Sequence, residues 1–146
     1  MRCRVDAARR QSIQVHHTAT HLLHAALRNV LGVHVTQAGS LVESKRLRFD
    51  FTHPQALTQD ELTSVVSFMN EAIHAQINVK VVDSEPLQAA IGRGAMSLFN
   101  EKYADHVRTV DIAGYSLELC GGTHIQNTKE LFPIHILSEA AIASGK

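Results

Sequence analysis

Ala19, Leu23, Ala26 and Val30 recur at i, i+4, i+7 and i+11, a single apolar stripe that predicts a helix from about Ala8 to Val30. At about 100° per residue, His17, His21, His24 and Arg28 fall on nearly the opposite face. A helix with one greasy face and one histidine face either shows the histidines to water or lays them in a polar cleft. Gly32 ends it. Short strands are expected at Val33 to Val35 and at Leu41-Val42, separated by a turn at Gln37-Ala38-Gly39-Ser40. Leu47, Phe49 and Phe51 alternate with Arg48 and Asp50, the pattern of a half-buried strand that His53-Pro54 stops.

Thr58-Gln59-Asp60-Glu61 has the form of a capping box and opens an amphipathic helix through Val65, Val66, Met69 and Ile73. A strand follows from Asn78 to Asp83, and Ser84-Glu85-Pro86 opens a short helix. Gly92 and Gly94 punctuate a loop before Ala95-Met96-Ser97-Leu98-Phe99. Val107 to Ile112 and Tyr115 to Leu119 form a hairpin around Ala113-Gly114, and Phe132 to Leu137 reads as a last strand before a small-residue tail, Ala140 to Lys146. Helices interrupting strands joined by short turns predict an α+β domain, a mostly antiparallel sheet packed with helices. With 146 residues and no linker or repeat, the chain is expected to form one domain over 1–146.

Composition excludes little and adds one oddity. Hydrophobic residues make up 45%, a share ordinary for a globular chain. No apolar run approaches the ~20 residues of a membrane span, and the start lacks a signal-peptide pattern, so a cytoplasmic address without membrane contact is expected. Lys plus Arg and Asp plus Glu number 14 each, so no whole-chain charge demands a polyanionic partner. Local clusters do exist, at Arg2, Arg4, Arg9 and Arg10 and at Lys45, Arg46 and Arg48. Cys3 is read as an unpaired thiol in a frayed terminus, because Cys120 has a better use as a ligand. The oddity is 10 histidines, of which His53, His74, His106 and His135 have no partner at metal spacing.

His17 and His21 stand one helical turn apart and can share one ion. His24 shares their face and His16 is adjacent, but one turn is the simplest bidentate geometry. Near the other end, Glu118-Leu119-Cys120-Gly121-Gly122-Thr123-His124 offers a thiolate and an imidazole, with two glycines that let the backbone turn tightly. Three nitrogen donors and one sulfur are the set zinc prefers. The amides of Gly121 and Gly122 are candidates to stabilise an oxyanion, and shaping the loop is the equal alternative. Glu118 and Asp50 are the nearby carboxylates, both read as structural rather than as a general base.

Around these residues the sequence resembles a known family. His17-Thr18-Ala19-Thr20-His21-Leu22-Leu23-His24-Ala25-Ala26-Leu27, Leu47-Arg48-Phe49-Asp50-Phe51, Gly94-Ala95-Met96, Glu101-Lys102-Tyr103 and the Glu118 to His124 stretch look like the editing domain of bacterial alanyl-tRNA synthetase. Order and spacing agree from about Val5 to Gly145. Free-standing alanyl editing proteins and the threonyl-tRNA synthetase editing domain share the two donor pairs. The resemblance implies the threonyl/alanyl editing-domain fold and zinc-dependent hydrolysis of seryl or glycyl esters on alanine tRNA. It also implies a synthetase fragment that works beside the remaining synthetase domains. A site built for alanine rejects glycine and serine poorly by binding alone, so a second, hydrolytic site supplies the rest. In the family, the position matching Thr20 senses the serine hydroxyl, and the position matching Gln37 lies in the same pocket. Thr20 would otherwise be read as a helix hydroxyl bonded to its own backbone.

Two departures stand out. Asn127-Thr128-Lys129-Glu130-Leu131-Phe132-Pro133 replaces a glycine-containing pattern of the family, and the chain ends at Ser144-Gly145-Lys146 where the family continues into a basic segment. The competing expectation is a zinc-stabilised tRNA-binding module without catalysis. An unrelated metallohydrolase is disfavoured, because Thr18 follows His17 where a His-Glu-x-x-His helix needs glutamate.

Overall fold

The computed structural model describes residues 3–97 and 102–142. Helix α1 runs Ala7–Leu31; the Asp6 side chain caps it by accepting from the Arg9 amide, and Gly32 closes it at φ 120. Strands β1 (Gln37–Val42) and β2 (Leu47–Phe51) follow, then helix α2 (Gln59–His74), strand β3 (Val79–Pro86) and short helix α3 (Leu87–Gly92). Strands β4 (His106–Ile112) and β5 (Ser116–Leu119) precede a single 3-10 turn at Thr128–Glu130. The architecture is α+β, with its strands all antiparallel in two sheets, β1-β2 and β3-β4-β5.

The main core lies between α1, α2 and the two sheets. Leu22, Ala26, Val65, Met69, Ile112, Ile125 and Leu131 are buried there, with Phe49, Phe51 and Phe68 packed against them. Leu22 and Val65 expose nothing, and truncating such a side chain to alanine costs about 2–5 kcal/mol. A second cluster of Ala90, Ala95, Val107 and Leu119 lies under α3. Residue Met96 exchanges backbone bonds with Leu117 and Leu119, tying the segment after α3 to β5. The capping box at Thr58 and Glu61 is formed as read.

Four local expectations are corrected. Gln37 to Ser40 is strand rather than turn: it pairs with β2, and the glycine is absorbed by a register shift between Gln37 and Gly39. Val33 to Val35 is no strand, because Arg28 from α1 donates to the carbonyls of Val33 (2.8 Å) and Val35 (2.7 Å), fixing a helix-end connection instead. Phe132 to Leu137 forms no ladder among the described residues. Pro133 lacks an amide donor; Ile134 and Ile136 turn to the core, while Phe132 and Leu137 are exposed. Strand β3 also runs on to Pro86 across a bulge, so α3 begins at Leu87 with Pro86 as its N-cap. Leu98, Phe99, Glu101 and the end of the tail lie outside the described residues.

The segment from Asn127 to Pro133 closes without a glycine. Asn127 and Glu130 form a reciprocal cap around the 3-10 turn. The fully buried Thr128 hydroxyl donates to the Ala72 carbonyl (2.7 Å) and accepts from the Ile77 amide (2.8 Å). This anchors the chain after His124 to the end of α2.

Candidate metal centre

The middle of α1 is buried nearly all round, including Thr18, Thr20, His21 and His24. The histidine face therefore lies in a polar cleft, the second of the two outcomes open to it. The wall of that cleft is β5 and the loop that leaves it. His17, His21, Cys120 and His124 converge there, each with a ligand atom within 4.8 Å of the others, a group that could hold a metal ion. The Cys120 Sγ lies 3.5 Å from His17 Nε2 and 3.3 Å from His124 Nε2. The three ring centroids are separated by 4.4–5.2 Å.

The outward nitrogens of His21 and His124 are engaged, which turns their Nε2 atoms toward the cluster. His21 Nδ1 donates to Glu118 Oε2 at 2.6 Å, and His24 Nδ1 donates to the other oxygen at 3.1 Å. His124 Nδ1 faces the Thr18 hydroxyl at 3.0 Å, and that hydroxyl also accepts from the Ile125 amide. His21 Nε2 is buried without a hydrogen-bond partner. An orphaned buried nitrogen aimed into a group of two more imidazoles and a thiol is what a nitrogen- and sulfur-binding cation would satisfy. The residues fit such an ion.

The electrostatics follow from the burial. Burial works against the Cys120 thiolate, but hydrogen bonds from His124 and His17 and the positive charge of nearby His21 outweigh it and pull the thiol down to about 3. Burial likewise opposes ionised Glu118, and the two histidines that hold it bring its carboxyl to about 2. For His21, burial favours the neutral ring, yet Cys120 and Glu118 together raise it to about 9. His124 is lowered, first by burial and then by the neighbouring histidines. The cluster therefore carries a preformed thiolate, the form that binds a cation.

Of the other residues singled out, Gly122 is required by space: a Cβ there would overlap the His17 ring. Its amide points at Cys120 Sγ (3.4 Å), so it serves the thiolate. A Cβ on Gly121 would meet nothing within 4 Å. The Thr20 hydroxyl donates to the His16 carbonyl at 2.8 Å, the self-bonded geometry of a helix threonine, which leaves its lone pairs free to accept. Gln37 sits at the start of β1 and its amide reaches Ser40 Oγ at 3.4 Å; no recorded bond joins it to the cluster. His53 lies outside this group, its Nδ1 3.0 Å from His34 Nε2.

The roles of Glu118, His24 and Thr18 in orienting ligands went unread in the sequence. One signal was present: side chains two apart on a strand share a face, so Glu118 stands beside Cys120. A groove of about 290 Å³ opens beside the loop, lined by Val5, Asp6, Arg9, Arg10, Ile13 and Thr123.

A family model described as the threonyl and alanyl tRNA synthetase second additional domain matches residues 107–146, which include Cys120 and His124. Alanine-tRNA ligases from Fervidobacterium nodosum and a Thermoanaerobacter species are 54% and 48% identical to the chain over 141 and 145 residues. That of Streptococcus pneumoniae is 52% identical over 141 residues. These alignments take in 97–99% of the chain, which spans 16% of each ligase's length. Likeness that reaches both donor pairs, on the fold that brings them together, places the chain in the family of alanyl-tRNA synthetase editing-related domains.

Proposed function

We propose that the chain is one editing domain, over residues 1–146, of a longer cytoplasmic alanine-tRNA ligase. In this reading it hydrolyses seryl and glycyl esters on alanine tRNA with zinc held by His17, His21, Cys120 and His124. The observation that carries the reading is the unpartnered His21 Nε2 facing three more nitrogen and sulfur donors, in a chain about half identical to alanine-tRNA ligases. Bound there, zinc would supply Lewis acidity.

The chain's own residues supply the rest. Water adds to the ester carbonyl, the bond from that carbon to the ribose oxygen breaks, and the ribose oxygen takes up a proton. The products are the free amino acid and the tRNA's terminal hydroxyl. Thr20, its own proton committed to His16, accepts a hydrogen bond from the serine hydroxyl. In this reading Gln37 is assigned to the same serine-sensing pocket by the family resemblance alone. With the Gly122 amide turned to sulfur, the developing oxyanion falls to the Gly121 amide. Arg9 and Arg10, in the groove beside Thr123, offer cations to the phosphates of the acceptor end.

The test is release of serine from seryl-tRNA(Ala) by this chain, before and after chelation. Ester loss that zinc restores, and that Cys120→Ala lacks, is the expected result; a wild-type rate in Cys120→Ala would falsify the metal assignment. One observation favours a second reading. Four protein donors form the closed set typical of structural zinc, so the domain would be a tRNA-binding module. Retained tRNA binding with no ester loss would select it.

A further inference from the structure

The loop that carries Cys120 is bound by one residue that neither motif contains. The Arg108 side chain, on β4, donates through Nη1 to the carbonyls of Cys120 (2.9 Å) and Gly122 (2.7 Å). Its backbone carbonyl accepts from the Cys120 amide at 3.0 Å. Its Nε donates to Asp83 Oδ1 at 3.0 Å, which sets the plane of the guanidinium. Arg108 is therefore bonded to both the amide and the carbonyl of Cys120, and to the carbonyl of the residue two further on.

One nitrogen shared by two carbonyls two residues apart forces them to point the same way. That folds the backbone outward at Gly121, and it leaves the Gly122 amide facing Cys120 Sγ. It also presses Gly122 against the His17 ring, where a Cβ has no room. The thiolate and His17 thus take their relative position from a cation that touches neither. A neutral or single-pronged donor cannot hold both carbonyls and Asp83 at once, because the guanidinium offers several N–H groups in a fixed plane.

We propose that Arg108 is a positioning residue for the metal centre: its guanidinium sets the Cys120–Gly122 backbone so that Sγ meets the three imidazoles in binding geometry. The proposal rests on the reading that His17, His21, Cys120 and His124 hold a metal ion. Groups that orient ligands from behind typically change metal affinity by about 10–100-fold when lost. Arg108→Gln, which keeps one donor, is expected to fall in that range, and Arg108→Lys to fall less. Asp83→Asn is expected to stay within about threefold, since Asp83 is exposed and only steers the guanidinium.

The experiment measures zinc affinity by chelator competition and the absorption spectrum of the cobalt(II)-loaded chain, together with the melting temperature of the metal-free chain. Wild type binding one ion, with Arg108→Gln and Arg108→Lys weakened in that order and their thiolate-to-cobalt band moved, bears the proposal out. Variants that lose melting temperature but keep wild-type affinity and spectrum overturn it, leaving Arg108 a structural residue only while the metal reading stands. A wild type that binds neither ion overturns both. Should Arg108→Gln not fold, Arg108→Lys carries the same comparison.

Discussion

The two halves of the candidate site are held in place by different means. His17 and His21 stand on α1, a 25-residue helix capped by Asp6 and buried through its middle. Their one-turn spacing comes with the helix, whatever happens around it. Cys120 and His124 stand on a loop with no regular backbone, so each must be fixed by a bond from elsewhere: Arg108 and the Gly122 amide for Cys120, Thr18 for His124. A helix stores ligand geometry in its own hydrogen bonds; a loop borrows it from neighbours. Substitutions should therefore be tolerated around the helical pair and damaging around the loop pair, even where no donor is touched.

The largest effect expected from a residue that is not itself one of the four candidate ligands is at Gly122. In Gly122→Val the new side chain overlaps the His17 ring, so either the ring or the loop must leave. Metal affinity should fall by more than about 100-fold, the upper end of what losing a supporting group does. Gly121→Ala is the matched control, with open space at its Cβ, and should stay within about threefold of wild type. Chelator competition reads both. Equal losses at the two glycines would show that the loop needs general flexibility, and the argument from close approach would fail.

The helical half is less independent than it looks, because Glu118 reaches across from β5. Glu118→Gln keeps the shape but cannot accept charge-assisted bonds from both His21 and His24. Zinc affinity is expected to drop by about 10–100-fold, and stability by about 1–3 kcal/mol for the weakened buried bonds, read by denaturant melts. Linkage gives the sign of the pH effect in the metal-free chain. Glu118 is depressed to about 2, so its contribution is present above the ordinary carboxylate range and is lost as pH falls toward 2. The variant should lack that acid-side loss. Wild-type affinity in Glu118→Gln would confine control of His21 to the helix.

This division explains how much was legible in the sequence. The four donors could be read because helical periodicity and a glycine-flanked pair are local patterns. The α+β class and the β4-β5 hairpin followed from the same kind of signal. What escaped was set by register. Thr109 pairs with Leu119, so one step further Arg108 lies opposite Cys120, a consequence of the hairpin that no motif states. Gln37 to Ser40 reads as a turn by composition but pairs with β2. In the same way Phe132 to Leu137 alternates like a strand, yet a ladder needs a partner as well as a pattern. Thr18 gave no signal beyond standing next to His17, since its use depends on where His124 arrives.

The smallest expected effect separates the halves by their protons. In the metal-free chain Cys120 is lowered to about 3 and is already thiolate at neutral pH. His124 is lowered as well and has no proton to lose near neutrality. His21, raised to about 9 by Cys120 and Glu118, is imidazolium there. A metal must displace that proton, so the helical half carries the proton cost and the loop half does not. Zinc binding should release about one proton near pH 7.5. Affinity should rise about tenfold per pH unit toward 9 and level off above it. Calorimetry in buffers of differing ionisation enthalpy counts the proton. In Glu118→Gln the release should fall, because one of the two groups that hold the proton on His21 is gone. Proton release that persists unchanged in that variant would place the titrating group on the loop.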